Sequence, residues 1–212
     1  MTEPLPPRGE WTAEVLSRLP EDNNLAEVLD GQLNIVYHNE DSHCIALWSL
    51  ALIVAPYAWG ENLDFTLGPK PFRFSERCEM QPDITVVPRT RIKGGRATDD
   101  PSKPELFIEI ATPHSRSVDA AIKSGLYIAF GVKTYWVVDY TAREVAVWSN
   151  GRQHSETFTE SVMWSPRRSE QQLTIDLPKY FDAIPEFDCS HDSSGPWIRR
   201  IRNSLPSSGS AP

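Results

Sequence analysis

Residues 105–111, Glu-Leu-Phe-Ile-Glu-Ile-Ala, constrain the fold of this chain more than any other segment. In an extended strand Leu106, Ile108 and Ile110 point one way and Phe107, Glu109 and Ala111 the other. Both faces are apolar apart from one carboxylate, so both need cover, which places the strand inside a sheet with layers on either side. Pro113 closes it. Ser117 can cap a following helix that runs to about Phe130, and Gly131 occupies the usual position just past a helix end. Residues 134–140 (TYWVVDY) are the next strand. Strand, helix, strand is a crossover unit, which implies neighbouring or near-neighbouring strands in one sheet with the helix packed on its face.

The rest of the chain supplies further layers. Trp11, Val15, Leu16 and Leu19 have helical spacing over 11–19, and Pro20 ends that helix. Residues 26–30, then Gly31, then 32–37 predict a hairpin, because Asp30-Gly31 is a strong two-residue turn. Asp41 or Ser42 can cap a helix over about 43–55 that is apolar nearly all round and should be covered on several sides. Short strands are expected at 63–67 and 72–74, separated by a turn at Gly68-Pro69, and at 84–87, 134–140 and 144–148. Residues 89–104 form a polar loop. The tail from Ser190 onward is rich in Ser, Pro and Gly and predicts disorder. With 212 residues, the organisation expected is a flexible start (1–10), one domain (11–188) and a disordered tail (189–212).

Composition narrows the function classes. An apolar share of 40% and a charged share of 24% suit a globular protein. The net charge of −8 argues against a basic nucleic-acid coat protein, although phosphate contact needs only local positive charge. Cys44, Cys78 and Cys189 form no paired motif, so structural zinc is not expected and a reducing, cytoplasmic location fits best. Residues 1–7 are polar and proline-rich, unlike a secretory leader. The longest apolar run, 44–56, is broken by Ser49 and falls short of the ~20 residues that span a bilayer, so no membrane association is expected.

Three residues carry chemistry. Asp83 follows Pro82 at the start of an apolar strand. Glu109 sits in the middle of one, where an ionised carboxylate is costly unless paired, hydrogen-bonded or bound to metal. Lys123 follows on the next helix. Two carboxylates on adjacent strands repel each other, and a hard divalent cation resolves that repulsion; magnesium suits one or two carboxylates, a carbonyl and waters. Each residue also has an ordinary explanation. Pro-Asp is a common turn element, Glu109 could pair with a buried arginine, and Asp119 and Lys123, four apart, make a normal surface ion pair.

The series Gln81-Pro82-Asp83, Glu109-Ile110-Ala111-Thr112-Pro113, Ser115-Arg116-Ser117-Val118-Asp119, Lys123, Tyr127, Gly131 and Tyr135-Trp136-Val137-Val138-Asp139 resembles the Uma-type putative restriction endonuclease family of the PD-(D/E)XK nuclease superfamily. Leu19-Pro20, residues 27–31 and His43 are similar to its opening pattern. The resemblance covers roughly 11–148, and its strength lies in the order and spacing of the motifs together.

It implies an α/β fold of restriction-endonuclease-like type, a mixed central sheet flanked by helices. It implies Asp83 and Glu109 as metal-binding carboxylates close enough to share one cation, with the Ile110 backbone carbonyl as a further ligand. The superfamily usually places a lysine two residues after the second acid; here that position is Ala111, and Lys123 matches the Uma-type alternative on the helix. Glu27 matches an acidic position of the opening motif, which implies a role in binding metal or water, although a hairpin glutamate is usually solvated. Tyr127, one turn beyond Lys123, is placed either to orient it or simply to pack.

The activity implied is Mg²⁺-dependent hydrolysis of DNA phosphodiester bonds, with Mn²⁺ able to substitute and a homodimer suited to cutting two strands. Arg89, Arg91, Lys93 and Arg96 form the best local basic patch for phosphate, a solvated loop being the equal alternative, with Arg116 and Ser115 as further candidates. Trp197, Arg199, Arg200 and Arg202 in the tail lie outside the family pattern. Two other readings stand beside this one: a nuclease fold kept only for binding or assembly, and a hydrolase of small phosphate esters.

Overall fold

The computed structural model describes residues 5–19, 25–36, 41–68, 70–89, 92–93, 96–97, 104–113, 115–149, 152, 154–167 and 169–185. Its centre is a six-stranded mixed sheet in the order β12-β11-β10-β9-β6-β3. These strands are β3 (Leu63–Leu67), β6 (Ile84–Pro88), β9 (Leu106–Ala111), β10 (Thr134–Asp139), β11 (Glu144–Ser149) and β12 (Glu156–Phe158). Only β9 and β10 run parallel, joined by the expected helical crossover, and the other pairings are antiparallel. All six residues of β9 are buried, as its two apolar faces require.

One face carries Leu106, Ile108 and Ile110 against α2 (Asp41–Gly60), the β13–β14 hairpin (Ser161–Trp164 and Leu173–Asp176) and α5 (Leu177–Asp182). The other face carries Phe107 and Ala111 against Leu29, Cys78, Met80, Tyr127 and Tyr135. Leu29, Cys78 and Met80 come from a second, four-stranded sheet of order β2-β1-β5-β4, built from β1 (Leu25–Leu29), β2 (Gln32–Val36), β4 (Phe72–Ser75) and β5 (Cys78–Met80). The hairpin between β1 and β2 forms as expected. Asp30 and Gly31 both have positive φ, 48° and 79°, the turn whose twist matches paired strands.

Several expectations change. The first helix, α1, is only Ala13–Leu16, with Thr12 as N-cap. The helix α2 is longer than 43–55, because Pro56 lies within it without ending it. Among the described residues it is covered mainly on one side: Cys44, Trp48, Leu52, Pro56 and Trp59 are exposed. By length and composition it is long and apolar enough to cross a membrane, contrary to the estimate from the 44–56 run. The crossover helix begins after Ser115 rather than at Ser117. It has three continuous parts, α3 (Arg116–Val118), a π-helical stretch (Asp119–Lys123) and α4 (Ser124–Ala129), before Gly131 at φ 82°. Two-residue strands β7 (Ile92–Lys93) and β8 (Arg96–Ala97) pair within the expected 89–104 loop. The whole of the disordered-tail expectation (189–212), along with Pro20, Tyr37 and Pro69, lies outside the described residues.

Candidate active site

Strand register brings Asp83 and Glu109 together. Ile84 stands opposite Ile108 in the antiparallel pair β6–β9, so Asp83, one residue outward, stands opposite Glu109. Directly opposed residues project from one face with Cβ atoms about 4.5–5.5 Å apart. Asp83 is held there by the backbone. The Ile110 amide donates to its Oδ2 at 2.8 Å, and His43 Nε2, from the first turn of α2, lies 3.3 Å from the same oxygen.

Lys123 enters from the π-helical stretch. Its Nζ is 2.9 Å from Glu27 Oε2, 3.0 Å from Glu109 Oε1 and 3.4 Å from Asp119 Oδ1. Tyr127 Oη donates to Glu109 Oε1 at 3.0 Å, and Tyr135 Oη donates to the Asp119 carbonyl at 3.1 Å. Glu27 comes from the second sheet, where it accepts the Gln81 amide at 2.7 Å and the Asn34 side-chain amide at 2.9 Å. The site therefore forms where the two sheets and the crossover helix meet.

Four residues differ from the readings that sequence alone gave them. Glu27 is fully buried, at 0% exposure, and is not a solvated hairpin glutamate. Asp119 and Lys123 are not a surface pair, because both are buried beside the other carboxylates. Tyr127 orients Glu109 instead of Lys123. Among the remaining candidates, Arg116 is half-exposed at the same end of the sheet and pairs with Asp139. Ser115 Oγ accepts the Thr112 amide at 3.1 Å. Arg89 lies past the far end of β6, about 20 Å of strand from Asp83, where it pairs with Asp64 at 2.8 Å; the structure does not bring it to the carboxylates. Arg91 and the side chains of Lys93 and Arg96 lie outside the described residues. His43, Asn34 and Gln81 were given no role by sequence reasoning. For His43 a signal existed: a titratable ring at the start of an otherwise apolar helix.

The electrostatics are one-sided. Glu27, Glu109 and Asp119 surround Lys123, and Asp83 adds its charge beside Glu109. Burial pushes the Glu109 carboxyl well above its ordinary range, and Asp119, Asp83 and Glu27 add to this while Lys123 opposes it. Burial raises Asp119 in the same way, again against Lys123. Burial alone would lower Lys123, but Glu109, Glu27 and Asp119 outweigh it and hold the ammonium well above its usual value. Such an excess of buried negative charge is relieved by proton uptake or by a further cation.

Among the described residues no three His, Cys, Asp or Glu side chains converge as a metal cage. A cation here would take two carboxylates and complete its shell with water, as Mg²⁺ prefers. The donor set, carboxylate oxygens with surplus negative charge, fits that ion.

A family model described as Uma2, putative restriction endonuclease, matches residues 13–178. Among solved structures, a putative nuclease belonging to DUF820 from Anabaena variabilis is similar over 82% of this chain and 99% of its own, with a TM-score of 0.58 and 18% identity. At that identity the likeness speaks for the fold. No curated protein matches the sequence.

Proposed function

We propose, from the premise that this chain belongs to the Uma2 putative restriction endonuclease family, that it is a divalent-metal-dependent endonuclease hydrolysing DNA phosphodiester bonds. The observation that carries the reading is the opposition of Asp83 and Glu109 across β6–β9 with Lys123 Nζ against Glu109. Asp83 and Glu109 would hold Mg²⁺, or Mn²⁺ in its place, with the Ile110 carbonyl as a further oxygen ligand. When bound, that ion supplies a water of lowered pKa and neutralises charge on the phosphate.

The chain's own residues do the positioning. The Ile110 amide and His43 fix the Asp83 carboxylate. Tyr127 and Lys123 both donate to Glu109 Oε1, which favours its ionised form and sets its orientation. The Lys123 ammonium offers positive charge to a phosphate in the transition state. Arg116, at the rim, is suited to contact a neighbouring phosphate. A homodimer in a cytoplasmic setting completes the proposal, since two symmetric sites suit two strands.

One observation favours a second reading, in which the fold serves binding or assembly without catalysis. Asp83, Glu109, Asp119, Lys123 and Glu27 are all buried, so a substrate reaches them only if neighbouring segments open.

A cleavage assay separates the two readings. Supercoiled and single-stranded DNA are incubated with Mg²⁺ or Mn²⁺ beside Asp83→Ala and Glu109→Ala, with folding of each variant checked by circular dichroism. Metal-dependent nicking that is lost in folded variants supports the endonuclease. Nicking retained in either variant sinks the site, and no cleavage by the parent chain with any substrate favours the binding module.

A further inference from the structure

The exposed face of α2 is symmetric about its own midpoint. Ile45, Trp48, Leu52, Pro56 and Trp59 stand at −7, −4, 0, +4 and +7 from Leu52. Steps of three and four residues keep such a seam on one side of a helix. Trp48, Leu52 and Trp59 are 60%, 75% and 56% exposed, Pro56 is exposed and Ile45 half-buried, so the seam is open among the described residues. No Asp, Glu, Lys or Arg occurs from Ser42 to Gly60.

That symmetry says what fits the face. In a two-fold contact one patch serves both partners, so that residue i meets j where j meets i. Two copies of α2 crossing antiparallel at Leu52 satisfy this condition. Leu52 meets Leu52, Trp48 meets Pro56 and Ile45 meets Trp59, apolar against apolar at every step. The nearest charges along the helix, Asp41 and Glu61, fall outside the seam, so the contact buries no unpaired charge.

The area is sufficient. Taking ~200 Å² for each large side chain, Trp48, Leu52 and Trp59 expose about 400 Å², and Ile45, Cys44 and Pro56 raise the face to roughly 500 Å². Two copies then bury about 1,000 Å², where specific interfaces begin. Charge disfavours the other apolar partner, a membrane surface. A helix lying on anionic lipid carries Lys or Arg on its polar side; residues 41–61 contain neither, in a chain of net charge −8.

We propose that two copies of this chain pair through α2, antiparallel about a two-fold axis at Leu52. The inference rests on the homodimer of the proposed function and assigns its face; it does not depend on the cleavage chemistry.

The test is sedimentation equilibrium of the full chain over about 1–100 µM, beside Leu52→Arg. Leu52 is 75% exposed, so the substitution should leave the monomer folded, which circular dichroism checks. The parent should pass from monomer to dimer mass over this range. Leu52→Arg sets two like charges on the axis and should weaken association at least about a hundredfold. In a Cys44→Ser, Cys189→Ser background, Leu52→Cys should form disulfide-linked dimers about tenfold faster than Met163→Cys, another exposed position. A dimer that survives Leu52→Arg, or equal cross-linking rates, would overturn the face while leaving a homodimer through another surface. A parent chain still monomeric at about 100 µM would overturn face and homodimer together, and its binding to phosphatidylcholine vesicles, lost in Leu52→Arg, would give the face to lipid. Cleavage is scored separately, so none of these outcomes is mistaken for failure of the nuclease site.

Discussion

Replacing Lys123 by Met removes the one ammonium that the described residues bring to this buried cluster of acids, while keeping most of the side chain's apolar stem. Lys123 is 1% exposed, with carboxylate oxygens of Glu27, Glu109 and Asp119 at 2.9, 3.0 and 3.4 Å. Breaking a buried ion pair costs about 3–5 kcal/mol, chiefly from the charge left behind. Proton uptake limits that cost. Protonating a carboxyl whose ordinary value is 4.5 takes about 3.4 kcal/mol at pH 7 but only about 0.7 kcal/mol at pH 5.

The variant's carboxyls would have folded-state values above their unfolded ones, so its stability should rise as pH falls towards 4.5. Urea unfolding followed by tryptophan fluorescence at pH 7, 6 and 5 should therefore show a deficit of about 3–5 kcal/mol that shrinks to about 1–2 kcal/mol. In a melt at pH 7 the same deficit corresponds to roughly 6–20 °C. A loss below about 1 kcal/mol at pH 7, or one unchanged at pH 5, would refute the idea that Lys123 neutralises this cluster.

Three further outcomes are expected. Mg²⁺ at about one hundred times its Kd should stabilise the parent chain by about 2.7 kcal/mol and do so much less in Asp83→Ala; equal thermal shifts in the two proteins would remove Asp83 from the ion. Burial raises the Tyr127, Tyr135 and Tyr180 phenols, and the surrounding carboxylates hold Lys123 up. All four groups favour the folded state below about pH 10 and stop doing so as pH rises beyond it, so phenolate absorbance at 295 nm should appear together with unfolding. Titration of these tyrosines near pH 10 in a folded chain would contradict their burial. Gly31→Ala should cost about 1–3 kcal/mol, because Gly31 has φ 79° and an added Cβ would lie 2.6 Å from Arg77 and from the Gly9 carbonyl; a neutral substitution in urea unfolding would show that the turn can shift.

The residues of local pattern were legible because their cause is local. The two-faced apolarity of β9, the Asp30-Gly31 turn, Gly131 at the helix end and the crossover to β10 each follow from a few neighbouring side chains. Other features escaped for reasons equally physical. Pro56 does not end α2, and the three-part crossover helix with its π-helical centre has no marker in a four-residue spacing. β5, β13, β14 and α5 are short elements whose burial comes from packing on the main sheet, and β12 is a three-residue edge strand of that sheet.

The order of acids and lysine along the chain thus singled out the candidate residues, and the alternation in β9 determined that its sheet needed two covering layers. Only the tertiary structure decided what surrounds those residues. Glu27 is 54 residues from Gln81 in sequence, and nothing in its hairpin says that the second sheet folds over to bury it against Lys123. Asp119 looks like half of a surface pair until the crossover helix turns it inward. The outward stripe of α2 appears only once the sheet has claimed its other side. Burial is a property of what packs against a residue, and for these residues the partners lie far along the chain.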